Sequence, residues 1–247
     1  MSKTYGVLCF ALGPIYEDCA YLLYQSCKRL GLPITIVVSR LSTRLNFIQP
    51  LRLSKDFKNP FEAECLAYEL SPYDVTLKVD ADCLMLSLPC LVDLPMYSGN
   101  PRTISYQEPK HSPYREQERL YNLPEIYSTA LVFSKSELCS NFFRLSKELF
   151  KTWYSLKFSQ ATKLLPTTDT IFSLAWALLQ IPNPRVFNFV HAKLGVSLDQ
   201  DLKKSFLLVS SGELFIQGLR QSGLFHYQDK EFLNHKVIES LGYVRLS

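Results

Sequence analysis

The sequence predicts an α/β fold with a mostly parallel central sheet flanked by helices, and three observations predict it. Residues 5–39 read as strand, helix, strand; an apolar strand near residue 79 stops at two aspartates; strand-like and helix-like runs then keep alternating to residue 190. A strand, a helix and a strand within about 35 residues make a crossover unit, whose parallel strands offer a ligand site at their carboxyl ends.

Tyr5 to Leu12 is a continuous apolar run closed by Gly13 and Pro14, as expected of a strand buried on both faces. Ala20, Leu23, Cys27 and Leu30 recur at helical spacing over residues 15–30, and Gly31 ends that helix. Residues 33–39 form the second strand. The carboxyl ends of the pair therefore fall at Ala11, Leu12 and Gly13, and at Ser39 and Arg40. Residues 41–60 mix Arg, Lys, Ser, Asn and Pro and read as a loop; a helix over 61–70 is stopped by Ser71 and Pro72. The proline-rich stretch 95–124 reads as a long irregular segment, either a surface excursion or an acceptor-binding loop with aromatic and basic side chains. Beyond it the pattern predicts a strand over 126–133, a helix over 138–153 opened by Ser134 or Ser136, and a helix over 170–179 capped by the preceding Pro-Thr-Thr-Asp. A short strand over 186–190 and an apolar run over 206–209 follow.

The stretch Val75-Thr-Leu-Lys-Val-Asp80-Ala-Asp82-Cys-Leu-Met-Leu86 carries the chemistry. Residues i and i+2 of a strand point to one side, so Asp80 and Asp82 can present two carboxylates to one point. Like charges that close repel, and an unpaired charge inside a core strand is costly. A hard divalent cation, Mg²⁺ or Mn²⁺, resolves both problems.

Composition narrows the alternatives. With 247 residues, 47% of them hydrophobic, the chain is long enough for one compact unit. A net charge of +4 tolerates a polyanionic partner without requiring one. Cysteines 9, 19, 27, 65, 83, 90 and 139 contain no Cys-x-x-Cys pair and read as buried free thiols of a cytoplasmic protein. No segment approaches the roughly 18 apolar residues of a membrane helix. Neither a Gly-x-Gly-x-x-Gly nor a P-loop motif is present, which disfavours a dinucleotide fold and a P-loop kinase. A bound diphosphate would then need a metal and side chains to balance its charge.

Two His and Lys pairs supply such groups. His191 and Lys193 follow the strand 186–190, and His226 and Lys230 lie near the carboxyl terminus. Either histidine suits the third position of a metal shell. Asp169 fits two roles, a first-turn acid of the helix it opens and a reactive carboxylate.

In order along the chain, Phe10-Ala-Leu-Gly-Pro-Ile-Tyr16, Ser71-Pro-Tyr-Asp74 before Leu77-Lys-Val-Asp-Ala-Asp-Cys83, Ser128-Thr-Ala-Leu-Val-Phe133, Thr167-Thr-Asp169 before an apolar helix, and Val190-His-Ala-Lys193 are together similar to the GT-A class of glycosyltransferases. The resemblance spans about residues 4–195 and rests on the ordered set. It implies a single GT-A, Rossmann-like domain over 1–247, with a nucleotide-sugar-binding half over 1–94, an acceptor-side half over 95–195 and a tail region over 196–247. It also implies Mn²⁺ or Mg²⁺ on Asp80, Asp82 and His191. The nucleotide sugar, with uridine the class default, would lie against Ala11, Leu12, Gly13, Tyr16, Arg40, Asp80 and Ala81. Lys193 would meet the diphosphate, Asp169 the sugar or acceptor, and Ser128 and Thr129 the acceptor side. The segment from His226 to Lys230 resembles a tail motif of uncharacterised phage glycosyltransferases, which implies a hydroxymethylated base of duplex DNA as acceptor; the alternatives are a glycosyltransferase acting on lipopolysaccharide, protein or a small glycoside, and a non-catalytic nucleotide-sugar-binding relative. A phage-encoded chain would work in the host cytoplasm. No glycine follows Ser128 and Thr129, where many relatives have Asn-x-Gly, so acceptor contacts there depart from the class.

Overall fold

The computed structural model describes residues 3–39, 45–54, 57, 59–88, 94–105, 121–155, 166–182, 185–193, 207–210, 213–216, 218–227 and 236–243. The first crossover unit is β1 (Tyr5–Ala11), α1 (Pro14–Arg29) and β2 (Ile34–Val38). β1 pairs in parallel with β2 on one side and with β4 (Val75–Asp80) on the other. Such a strand is covered on both faces: Val7, Cys9 and Ala11 enter one apolar layer while Leu8 and Phe10 enter the other. That is why its sequence shows no alternation.

Nine strands form the main sheet. Besides β1, β2 and β4 it contains β3 (Leu51–Arg52), β5 (Cys83–Met85), β6 (Met96–Ser105), β7 (Ala130–Ser134), β8 (Arg185–Lys193) and β12 (Leu224–His226), in the order β3-β2-β1-β4-β7-β6-β8-β12-β5. Five of its eight pairings are parallel, and only β7 and β5 run against the rest. The carboxyl ends of β1, β4 and β12 thus lie at one end of the sheet. A separate antiparallel ribbon contains β9 (Leu207–Ser210), β10 (Glu213–Ile216) and β11 (Leu219–Arg220).

β4 and β5 stand fourth and ninth in the sheet, yet only Ala81 and Asp82 join them. Three Cα steps span at most about 11 Å, so the sheet must curl to bring its far edge back to the end of β4. α1 packs against β5 as well as β1, and Ser26 Oγ accepts the Met85 amide at 3.0 Å. This curl is what carries β12 to the acidic pair.

α4 (Glu137–Thr152) and α5 (Thr168–Leu178) cover the face opposite α1. Each begins on a side-chain cap: Ser136 accepts the Cys139 amide, and Thr167 accepts the Thr170 amide. A short α6 (Lys236–Ser240) packs on the α1 side through Val237 and Ile238.

Three sequence expectations are corrected. The helix expected over 61–70 is broken into α2 (Pro60–Ala63), a 3₁₀ turn (Glu64–Leu66) and α3 (Ala67–Leu70). Residues 96–105 of the segment expected to be irregular form β6, which slips register between Ser98 and Gly99; its pairing with β7 ends at Ser98, so among the described residues Pro101 lies where the strand is paired with β8 alone. The strand expected over 126–133 is confined to β7, and the residues before it turn across the sheet end. Cys9, Cys19, Cys27, Cys65, Cys83 and Cys139 are buried free thiols, as expected; Cys90 lies outside the described residues.

Candidate functional site

The site grows from the last turn of β4. Val75, Leu77 and Val79 point into the layer beneath α1, so Thr76, Lys78 and Asp80 face the other side. Lys78 is 1% exposed, and its ammonium meets three acceptors: the Glu64 carboxylate, Asp80 Oδ1 at 2.9 Å and the Ser128 carbonyl at 2.9 Å. A lysine has three N–H donors, so all are used. Asp80 turns its other oxygen to the Thr129 hydroxyl, which donates at 2.6 Å. Both oxygens of Asp80 are thereby aimed.

These contacts set the charge states. Burial pushes the Asp80 carboxyl up, but Lys78, His226 and the Thr129 hydroxyl together hold it below the usual carboxylate range. Burial also raises Glu64, to about 7, against the pull of Lys78. Lys78 itself is lowered by burial and raised by Asp80 and Glu64, and the carboxylates win, so the ammonium stays charged. Behind the site, burial and then the Asp80 charge keep the Cys9 thiol protonated.

Asp82 does not share β4 with Asp80, as the period-of-two argument requires. It lies in the turn before β5. Its carbonyl accepts the Tyr227 amide at 3.1 Å, and its buried carboxylate Oδ2 lies 3.3 Å from His226 Nε2 at the end of β12. Asp80, Asp82 and His226 each bring one ligand atom within 4.8 Å of the others. Ligands across a divalent ion stand about 4–5 Å apart, and two carboxylates with an imidazole suit Mn²⁺ well and Mg²⁺ acceptably. The residues fit such an ion.

A cleft of about 240 Å³ opens over this cluster. Leu12, from the β1–α1 turn, and Tyr16, from the first turn of α1, form one wall; Phe61 and Glu64 form another; Asp80, Ala81, Asp82, Ser128 and His226 complete it. Gly13 makes the turn with φ of 126°, a conformation other residues rarely adopt, and α1 starts directly on it. The cleft lies at the carboxyl ends of parallel strands, where open α/β sheets bind ligands.

The structure brings together Leu12, Tyr16, Asp80, Ala81, Asp82, Ser128, Thr129 and His226 from the sequence candidates. Ala11 is buried at the end of β1 beneath the cleft. Asp169, in the first turn of α5, accepts the Ser128 amide at 2.7 Å and so anchors the residue that lines the cleft. The backbone of His191 is paired in register with His226, and that of Lys193 with Ser105. The side chains of His191 and Lys193, and all of Arg40 and Lys230, lie outside the described residues. Sequence reasoning missed Lys78 and Glu64. Lys78 was detectable, because it shares the parity of Asp80 inside an apolar strand; Glu64, on a segment read as a plain helix, gave no such signal.

No known family profile matches the chain, and no curated protein matches it. Among solved structures, the chain is similar to the glycosyltransferase GlyE of Streptococcus pneumoniae TIGR4, with a TM-score of 0.46 at 9% identity over 82% of this chain and 47% of that one. The apo form of GlyE gives a TM-score of 0.46 at 10% identity over 75% and 45%. The chain thus spans less than half the length of these neighbours, and what GlyE does is not carried over at that likeness. Among the described residues no helix is long and apolar enough to cross a membrane.

Proposed function

We propose that the protein is a metal-dependent glycosyltransferase of the GT-A type, moving a sugar from a nucleoside diphosphate sugar to an acceptor hydroxyl. The observation that carries this reading is the convergence of Asp80, Asp82 and His226 on one point at the floor of a cleft, at the carboxyl ends of the sheet. Asp80, Asp82 and His226 would hold Mn²⁺ or Mg²⁺, with His191 the other candidate ligand. When bound, the cation supplies positive charge to the diphosphate oxygens.

The chain's own groups do the rest. Leu12 and Tyr16 enclose the nucleotide base, and Ala81 and Asp80 meet the ribose; Gly13, Ala11 and Arg40 complete that side. The acceptor oxygen bonds to the anomeric carbon as the bond from that carbon to the phosphate oxygen breaks, its electron pair staying on the diphosphate. Lys193 stabilises the departing charge, and Asp169 takes the acceptor proton. The bond from the Ser128 amide to Asp169 Oδ1 would aim that carboxylate. Residues 1–94 serve the donor and 95–195 the acceptor, with a hydroxymethylated DNA base as the leading acceptor.

The test is nucleotide release from a panel of UDP-, GDP- and TDP-sugars with Mn²⁺ or Mg²⁺, with and without hydroxymethylcytosine-containing duplex DNA. The expected result is release that depends on metal, is confined to one donor, and is stimulated by the modified DNA. Metal-dependent release indifferent to DNA moves the acceptor to lipopolysaccharide, protein or a small glycoside. No release with any donor would overturn the enzymatic reading.

A further inference from the structure

We infer that a second cleft, on the outer face of α1, binds a phosphorylated ring compound. This cleft measures about 610 Å³, within the usual range for small-molecule sites. Its walls come from three separated parts of the chain: Tyr21, Tyr24, Gln25, Lys28 and Arg29 of α1, Phe47 and Ile48 of the short 3₁₀ turn Asn46–Ile48, and Gly242 and Tyr243 after α6. Its α1 residues lie 5 to 13 positions beyond Tyr16 on the same helix, so the cleft spans roughly 8–20 Å along the axis from that wall of the acidic one.

Three features suit such a ligand. First, Lys28 and Arg29 bring two full positive charges, and neither has a carboxylate within ion-pair distance among the described residues. Their place in the last turn of α1 offsets the carbonyl end of the helix, but that end carries only about half a negative charge. A net positive excess is left for an anion. Second, the walls are aromatic. Phe47 is 61% exposed, yet its ring is held edge-on against Tyr21 at 5.5 Å, and the Arg29 guanidinium lies 5.2 Å from the centre of the Tyr243 ring. Exposed, fixed aromatic faces and flat guanidinium groups are stacking surfaces for a base or a sugar ring. Third, Tyr243 is 4% exposed, and its buried hydroxyl has the Arg29 guanidinium beside it, a group that can only donate. The hydroxyl proton is thus left in need of an acceptor, which a ligand oxygen in the cleft supplies.

Two sources share this chemistry, a nucleoside monophosphate and a sugar phosphate. The test is calorimetric titration, in EDTA, of uridine monophosphate and glucose 6-phosphate, with uridine and inorganic phosphate as partial ligands. Wild type is compared with Lys28→Glu, Phe47→Ala and Asp82→Ala. The expected result is that at least one of the two whole ligands binds about tenfold or more tightly than either part, and that this binding persists in Asp82→Ala. In Lys28→Glu and in Phe47→Ala it falls by about tenfold. Preference for the nucleotide assigns a base-stacking site, and preference for glucose 6-phosphate a sugar-stacking one. Binding that vanishes in Asp82→Ala but survives in Lys28→Glu belongs to the acidic cleft and overturns the inference. So does the absence of binding by both whole ligands, or binding of inorganic phosphate as tight as theirs.

Discussion

Under the proposed function, Asp82→Ala is expected to lower metal-dependent turnover of the sugar nucleotide by on the order of 10²–10³ or more while leaving the fold intact. The reason is local. Asp82 contributes a buried carboxylate beside His226, and Asp80, each of whose oxygens already accepts one bond from Lys78 or Thr129, keeps capacity for its own ligand position but not for that of Asp82 as well. The link that Asp82 makes to Tyr227 runs through its backbone carbonyl and survives the substitution. Steady-state kinetics with Mn²⁺, together with far-ultraviolet circular dichroism, check both halves. Turnover within tenfold of wild type would remove Asp82 from the site.

Lys78→Met destabilises the protein by about 3–5 kcal/mol, because it leaves Glu64 and Asp80 buried without their shared cation. For a chain of this size that is a fall in Tm of roughly 10 °C. The loss depends on pH, and its sign is fixed by linkage. In the wild type Asp80 sits below the carboxylate range and contributes stability that is present above its unfolded pKa and lost as pH falls. Glu64, at about 7, detracts from stability as pH rises from the carboxylate range through that value. Without the ammonium both carboxyls shift up, so the folded variant holds more protons than folded wild type. The penalty therefore grows with pH and is larger at pH 8 than at pH 5. Chemical denaturation at the two pH values measures it; a penalty below about 1 kcal/mol at pH 8 would show that the triad is solvated and not a buried ion-pair network.

The parts of the fold that were legible in the sequence are those where burial alone dictates the pattern. β1, α1 and β2 follow from an unbroken apolar run, a helical repeat and a terminating glycine. β6 was hidden because Gly99 and Pro101 argue locally against a strand, while its pairing partners β7 and β8 are supplied by distant parts of the chain. The acidic pair was legible, although the geometry that joins Asp80 to Asp82 is a turn between two strands and not one strand face. That His226, the neighbour of His191, stands beside Asp82 was not legible. The two stand side by side at the carboxyl ends of neighbouring parallel strands, and only the curl that brings β12 against β5 sets His226 beside Asp82. No local pattern encodes that curl. Lys78 could have been found by extending the parity argument one step back from Asp80, since a lysine facing the same side of a core strand must have acceptors.

The measurement that tests the central claim most directly is anomalous diffraction from crystals grown with Mn²⁺. The account predicts one strong peak within about 2.0–2.6 Å of carboxylate oxygens of Asp80 and Asp82 and of a ring nitrogen of His226. A peak on His191 with none on His226 would exchange the third ligand. No peak near Asp80 and Asp82 at saturating Mn²⁺ would contradict the account, leaving the Lys78 ammonium as the cation that the acidic cluster was built to hold.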